Sequence, residues 1–501
     1  MSYRKLVAAA LVAAAITACS AQNTGPAAAP AAAAGGTLRF GVGFTLDDWE
    51  PFNKPNNTYV SAVFEQLVEQ APDGIELLPR LATSWKATGE QVEFTLRTGV
   101  VFHDGTPFDA QAVKVNLERI RDSMTEFATI MKPVEEILTP DASHVVLKLK
   151  RPAPALPAQL ARTGGYMLSP KTIKDGTFKT QPAGTGPWKY NAAQSIRDSK
   201  VVLDFFDKYY EPDKVGPRRL EIHTIADDDS GYNALVTGQV DVVSVAAQYK
   251  KRAETQGLKS LWYPGLRYHF LFFDRKDTFA DPRVRQAVCH SLDTKALLDG
   301  QFEGLGESYP QRFSEGQPGY NPQVLGYTRD VTKARALLAE SGEKDVSFTF
   351  PVFPGTELLG ELVRSQLAES GITVKVEKMS IPQYFSTFDR YPAAYNTSNS
   401  ESTGPLDYYA YRFAPDGGGN PYKTGSPELE KLAERALAGG TDAEREDLYR
   451  RMTQIIHDQA LDCGFFSRPI TFIWDPRKVD NIVPTRFEPS VFRYKEARIH
   501  A

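Results

Sequence analysis

Hydrophobic positions in this chain fall into short alternating runs separated by stretches with helical spacing. In VEFTLR, residues 92 to 97, Val92, Phe94 and Leu96 oppose Glu93, Thr95 and Arg97, the period-two pattern of a half-buried strand. VVLKLK at 145 to 150 puts Val145, Leu147 and Leu149 on one face, and it is expected to be the first strand's partner; ITVKVE at 372 to 377 alternates in the same way. The helices show at their ends. Asp330 is placed to cap VTKARALLAESG, whose Ala334, Leu337 and Leu338 share a face before Gly342 stops it. Pro427, after Ser426, opens another helix. Thr441 and Glu444 then fit a capping box ahead of an apolar face at Leu448, Met452, Ile455 and Ile456, and this last pair is expected to form a helical hairpin. No repeat of solenoid or propeller period is present. The pattern predicts a mixed α/β protein.

One polar run invites a chemical reading. FHDGTPFDA, residues 102 to 110, holds a histidine, two aspartates and a threonine. Asp104-Gly105 is a turn dipeptide, Pro107 stiffens the exit, and Asp109 can accept from the free amides that open a helix. Val113, Leu117 and Ile120 then supply that helix's buried face. No second histidine stands four residues on to complete a metal-ligand pair, so the run reads as a turn and a helix start.

At 501 residues and 42% hydrophobic content, the chain is long enough for two lobes or more. Lysine and arginine total 58 against 62 acids, with no long basic run in the body, so no nucleic-acid partner is expected. Arg4 and Lys5 precede the apolar run LVAAALVAAAITA, 13 residues long, which is short of the roughly 20 needed to span a bilayer and reads as an export signal over residues 1 to 18. Ile16-Thr17-Ala18-Cys19 resembles the bacterial lipobox, which makes Cys19 the expected lipidation site and membrane anchor. Residues 19 to 36 are rich in alanine, proline and glycine and read as a tether. Without the signal the chain keeps 56 basic and 62 acidic residues, a formal charge of −6. Cys289 and Cys463 are the remaining cysteines; they can pair, but their spacing does not place them. Cys289, beside Val284, Val288 and Leu292, reads as a small core residue.

Several stretches carry a family resemblance. LLPRLATSWKATGEQVEFTLRTGVVFHDGTPFDAQAVKVNLER at 77 to 119, GTGPWKY at 184 to 190, ALVTGQVDVV at 234 to 243, FADPRVRQAVCHSLD at 279 to 293 and ARALLAESG at 334 to 342 resemble, in order, the peptide/nickel family (family 5) of extracytoplasmic solute-binding proteins of ABC transporters. The resemblance implies a two-lobed α/β periplasmic-binding-protein fold of type II, cluster C-like, with an extra subdomain in the larger lobe. It places lobe I at 37–268 plus 482–501, the extra subdomain near 60–175, and lobe II at 269–481. It further implies a monomer that closes on its ligand by hinge motion, delivers it to ABC permease subunits, and works outside the cytoplasm without cofactor or metal.

Peptide-binding members hold an extended ligand through backbone hydrogen bonds, and an acid that often follows a tryptophan receives the amino terminus. Here NTSNSESTGPLDYYAYRF, residues 396 to 413, lacks the tryptophan. Glu401 falls near the acidic position, with Asp407 as the other choice; either attracts an ammonium in a desolvated cleft, and either is equally at home as a solvated loop charge. Tyr408 adds a stacking face and a hydroxyl. LWYPGLRYHFLFFD at 261 to 274 resembles the family strand that enters lobe II, where Arg267, Tyr268 and His269 are polar interruptions. Arg267 is suited to a ligand carboxylate or phosphate, or to an interlobe salt bridge. Trp49 occupies the early loop that lines the cleft in relatives, whereas Trp188 of GTGPW reads as scaffold.

A secreted hydrolase is the rival from another class. The sequence has no GxSxG elbow and no HExxH, and the acids at 227 to 229 precede a helix start without calcium-loop spacing. A binding protein without catalysis is therefore expected. Its first expected ligand is an oligopeptide or dipeptide, followed by an opine-like charged metabolite, an oligosaccharide and a metal chelate.

Overall fold

The computed structural model describes residues 35–52, 57–74, 76–123, 127–302, 304–308, 311–398, 404–417, 419–438, 440–485 and 488–500. Cys19 and all but the end of the 19–36 tether lie outside these residues. No helix among the described residues is long and apolar enough to cross a membrane.

The alternation in VEFTLR becomes the strand Gln91–Leu96, which buries Val92, Phe94 and Leu96. It pairs antiparallel with His144–Leu149, inside a four-stranded sheet completed by Ala82–Ala87 and Val134–Asp141. The helix Ala110–Arg121 packs Val113, Leu117 and Ile120 into this sheet's core. FHDGTPFDA is its lead-in. The Asp109 carboxylate accepts from the Ala112 amide at 2.9 Å, and the Asp104 carboxylate accepts from the Thr106 amide at 3.0 Å. Gly105 takes the left-handed conformation at φ +85° that the turn requires. His103 is buried, its Nε2–H donates to the Gly186 carbonyl at 2.8 Å, and burial pushes its pKa down to about 4. It is a neutral packing histidine. GTGPW is scaffold as well: a Cβ on Gly184 or Gly186 would collide with the Val63 carbonyl, and the Trp188 indole donates to the Pro217 carbonyl at 3.1 Å.

An eight-stranded mixed sheet carries the rest. Its order is Ala393–Ser398, Lys259–Phe273, Asp462–Trp474, Val242–Val245, Thr37–Val42, Arg219–Thr224, Lys200–Phe205 and Trp188–Tyr190. Two of these strands, Lys259–Phe273 and Asp462–Trp474, are much longer than their neighbours and serve two cores at once. At one end Phe472 and Trp474 join the core of Leu38, Phe40 and Trp188. At the other, Leu271, Phe273 and Cys463 join a core with Val288 and Phe350, while Tyr268, Phe270 and Phe272, on the opposite strand face, join one with Met452 and Leu429.

The ladder between the long strands is broken in the middle. Lys259 to Tyr263 pair with Trp474 to Ile470, and pairing resumes at Arg267 with Arg468, so three residues oppose one. Pro264 and Pro469 fall inside the break and have no N–H to donate, and Gly265 adds backbone freedom.

The expected caps form. Asp330 accepts from the Lys333 amide at 2.8 Å, Gly342 is left-handed at φ +76°, and Thr441 and Glu444 make a reciprocal capping box. Helices Pro427–Leu437 and Asp442–Asp458 bury Leu429, Leu432, Leu448 and Met452 in one core, as a hairpin would. Cys289 is a buried core residue, and it is also bonded to Cys463 with Cα atoms 5.6 Å apart, inside the range for a bridge.

A buried ion network fastens the four-stranded sheet to the larger one. Arg80 pairs with Glu65, with Glu211 at 3.0 Å and with Glu69 at 3.4 Å, and Lys495 reaches Glu69 at 3.2 Å. Burial alone would raise the Glu69 carboxyl, but Lys495, Arg80 and Arg493 overcome it and hold the pKa at about 2. A depressed carboxyl stabilises the fold above its ordinary value of 4.5 and loses that contribution as pH falls towards 2. Glu69→Gln is expected to cost about 3 kcal/mol at pH 7 and to flatten the acid limb. Urea unfolding at pH 7 and pH 3 measures both; parallel acid limbs in variant and wild type would refute the assignment.

Candidate functional site

Where the separate cores meet, short segments from distant parts of the chain converge. The helix Leu156–Leu160 belongs to the four-stranded sheet's core. Its Gln159 donates to the Asp407 carboxylate at 2.6 Å. Asp407 lies in the short helix Pro405–Tyr408, whose Leu406 and Tyr408 belong to the core of the helical hairpin. Nearby, Lys132 and Asp416 form a largely exposed pair at 3.2 Å.

Behind this seam is a buried polar cluster. Tyr408 donates to Asp462 Oδ2 at 2.7 Å and Tyr268 to Asp462 Oδ1 at 3.3 Å. The Arg312 guanidinium lies 5.6 Å from the Tyr408 ring and 5.8 Å from the Tyr268 ring. Arg412 lies 5.5 Å from the Phe270 ring and donates to the Gly419 carbonyl at 3.2 Å. Strand register explains the convergence. Asp462 and Gly464 share the strand face that Tyr268 crosses, and a Cβ on Gly464 would collide with the Tyr268 hydroxyl. A bulge pairs His269 with Phe466 but Phe270 with Gly464, so Phe465 is the extra residue, and Phe465 and Phe466 both pack into the same core.

Burial pushes the Asp462 carboxyl up to about 6, against the pull of Tyr408, Tyr268, Arg312 and Arg412. Burial raises both phenols too, and the Asp462 charge raises them further, so the tyrosines remain donors. Burial lowers the Arg312 pKa; the two tyrosines oppose that, and the charge of Arg162 adds to it. A cavity of about 420 Å³ opens beside the cluster, with Tyr268, Arg312, Asp462 and Gly464 among its lining residues and Phe313 and Tyr327 on its walls.

The structure brings Tyr268 and Tyr408 together on one carboxylate and sets Asp407 beside them. It places His269 on the opposite strand face, buried against Tyr395 and with its ring 5.1 Å from Phe466. Trp49 is 3% exposed and packs in the first core, its ring 5.0 Å from Tyr190. Glu401 and the Arg267 side chain lie outside the described residues. Sequence reading passed over Gln159, Arg162, Arg312, Arg412 and Asp462. A usable signal existed for two of them: Arg412 in YAYRF and Asp462 in ALDCGFF are single charges inside apolar runs, and a buried charge is more informative than an exposed one. Among the described residues no group of three or more histidine, cysteine or acidic side chains is placed to hold a metal ion.

A family model for bacterial extracellular solute-binding proteins, family 5 (middle), matches residues 76–421. The chain belongs to that family. Among family 5 relatives, it is 26% identical over 448 residues to the probable D,D-dipeptide-binding periplasmic protein DdpA of Escherichia coli (strain K12), covering 85% of this chain and 86% of that one. Solved structures share the type II two-lobed fold. DppA of Helicobacter pylori, in complex with the peptide STSA, aligns with a TM-score of 0.80 at 21% identity over 93% of this chain and 98% of that one. NikA of Brucella suis, in complex with Fe(III)-EDTA, aligns at 0.81 and 21% identity over 93% and 100%. The two α/β lobes expected from the sequence are thus the fold of this family 5 protein, and its relatives are solute-binding transport proteins.

The Asp462 cluster makes a signed prediction. A carboxyl raised from 3.8 to about 6 favours the neutral acid by about 3 kcal/mol. Stability through this group is therefore full below pH 4 and declines as pH rises to about 6. Asp462→Asn is expected to remove that decline, whatever its effect on absolute stability, as read from thermal unfolding between pH 4 and pH 7; a decline that persists unchanged in the variant would count against the buried acid.

Proposed function

We propose that this protein captures an oligopeptide or dipeptide between two hinged lobes and delivers it to the membrane subunits of an ABC importer. The observation that carries this reading is the broken ladder: two long strands join otherwise separate cores, and the longer of the two interruptions in their pairing falls where Pro264, Gly265 and Pro469 sit. Such a joint absorbs backbone rotation while each lobe stays rigid. The lobe boundary is proposed to fall in that break, with residues 35–263 and 470–500 in lobe I and 267–468 in lobe II. This lies a few residues from the 268/269 boundary, and about a dozen from the 481/482 boundary, expected from the family resemblance.

The peptide assignment is supported by DdpA, named for D,D-dipeptides, and by DppA, solved with a peptide. Glu401 is proposed to receive the peptide's ammonium group. Tyr268, Tyr408 and Asp407 belong to the same wall of lobe II, and Arg267 is assigned a supporting position at the cleft; His269 and Trp49 are packed in cores and are left out of the site. No chemistry is required of a receptor that hands on its ligand intact. Cys19 is proposed to carry the lipid that holds the protein at the outer face of the cell membrane, as a monomer on the 19–36 tether.

Native mass spectrometry of the purified mature chain, with release of whatever it carries, tests the ligand. A heterogeneous set of short peptides is expected, and Glu401→Gln is expected to lower its occupancy; a single non-peptide mass would overturn the peptide assignment. For the anchor, Cys19→Ala is expected to move the protein from the membrane fraction to the soluble fraction, and unchanged membrane retention would refute lipidation.

A further inference from the structure

Two side-chain contacts cross the seam, and both end on one short segment. The helix Pro405–Tyr408 runs directly into a π turn over Tyr409–Phe413, a rare backbone conformation that recurs at functional sites. Leu406, Tyr408 and Phe413 hold the segment in the core of the helical hairpin. Its seat is tight: a Cβ on Gly319 would collide with the Pro405 ring, and the Gly319 carbonyl accepts from Thr453 of the hairpin at 2.8 Å. Asp407 and Asp416 flank the π turn; Asp407 is half-buried and the Asp416 side chain is 77% exposed.

Their partners belong to a different core. Gln159, in the helix Leu156–Leu160, donates to Asp407 at 2.6 Å, and Lys132, directly after the helix Ala128–Met131, pairs with Asp416 at 3.2 Å. Met131, Leu156 and Leu160 are buried in the core of the four-stranded sheet. The contacts bridge separations of 248 and 284 residues, so local chain geometry does not produce them. Both depend on how the two cores stand relative to each other.

We infer that residues 405–416 form a clasp, in which Asp407 and Asp416 dock on Gln159 and Lys132 and stabilise the closed form of the protein. This rests on the reading of the chain as a receptor hinged between two lobes. It assigns Asp407 to closure rather than to the ligand's ammonium group, and leaves that role to Glu401. A hydrogen bond to a carboxylate and an exposed ion pair are modest interactions, so the ligand drives closure and the clasp prolongs it. Because the clasp touches protein alone, it scales the affinity of every ligand by one factor and does not choose among them.

The test treats the mature chain with a zero-length carbodiimide, which joins an amine to a carboxylate as an amide with loss of water and so reports only side chains in contact. Peptide mass spectrometry is expected to find Lys132 linked to Asp416, and Asp416→Asn to abolish the link. Gln159→Glu, which sets a second carboxylate against Asp407, is expected to slow formation of that link at least about threefold. Gln159→Leu, which only removes the donor, is expected to slow it less, and both variants to keep the wild-type urea midpoint, because the contact joins the lobes and not either core. A link that does not form, or one that forms equally fast in wild type and Gln159→Glu, would overturn the clasp. With alanyl-alanine and leucyl-leucine as calorimetric probes, Gln159→Glu is expected to weaken both by the same factor; a loss confined to one of them would overturn ligand-independent closure. If neither dipeptide binds wild type, the peptide reading fails separately, and the cross-linking rates alone decide the clasp.

Discussion

Everything in this molecule depends on one pair of strands. Lys259–Phe273 and Asp462–Trp474 are hydrogen-bonded at both ends and unpaired in the middle, and they extend the sheet from one core into the next. A continuous ladder would make the two lobes one rigid slab; no ladder would leave them tethered by loose chain. Inside the break Pro264 and Pro469 lack N–H groups and Gly265 follows Pro264, so the ladder keeps its direction while its pairing is interrupted, the intermediate case that a hinge of the proposed kind needs. On one side of the break, the disulfide ties Cys463, on the second long strand, to Cys289 in the helix Pro282–Ser291.

The same strands position the buried cluster. Because side chains alternate along a strand, Tyr268 and Asp462 face the helical hairpin while Leu271 and Cys463 face the other core. Gly464 leaves space for the Tyr268 ring to cross the neighbouring strand, and the bulge at Phe465 turns one further side chain into the core. A buried carboxylate with two phenol donors is costly unless every partner is fixed, so the cluster specifies this register against its alternatives. A shift by one residue would bury Asp462 among Val288 and Phe350.

What was legible from sequence follows the range of the interactions. The strands at 92–97 and 145–150, the caps at Asp109, Asp330 and Thr441, and the turn in FHDGTPFDA are decided within a few residues, and the alternation or the capping residue announces them. The strand at 261–274 was legible from its family resemblance and not from alternation, because LWYPGLRYHFLFF breaks its own pattern at Pro264, Gly265 and Arg267, and that break is where the hinge is proposed. Tyr268, Tyr408 and Asp462 meet across separations of 54 and 194 residues, and Cys289 meets Cys463 across 174. No local period encodes such meetings. Trp49 and His269 look alike in sequence to residues that line a cleft, but which face of the backbone they leave from sends both into cores.

The seam between the lobes differs in kind from what lies on either side. Each core buries aliphatic and aromatic side chains almost completely, whereas the seam shows an amide on a carboxylate and an exposed lysine with an exposed aspartate. An exposed ion pair contributes no more than about 1 kcal/mol, and a polar interface between domains leaves relative motion as the default. Closure therefore has little apolar driving force of its own. The interactions that favour it must come from whatever occupies the space between, since a ligand shifts a two-state equilibrium only by its differential affinity for the closed form. For a receptor of the proposed kind, occupancy of that space and the relative position of the lobes are therefore linked.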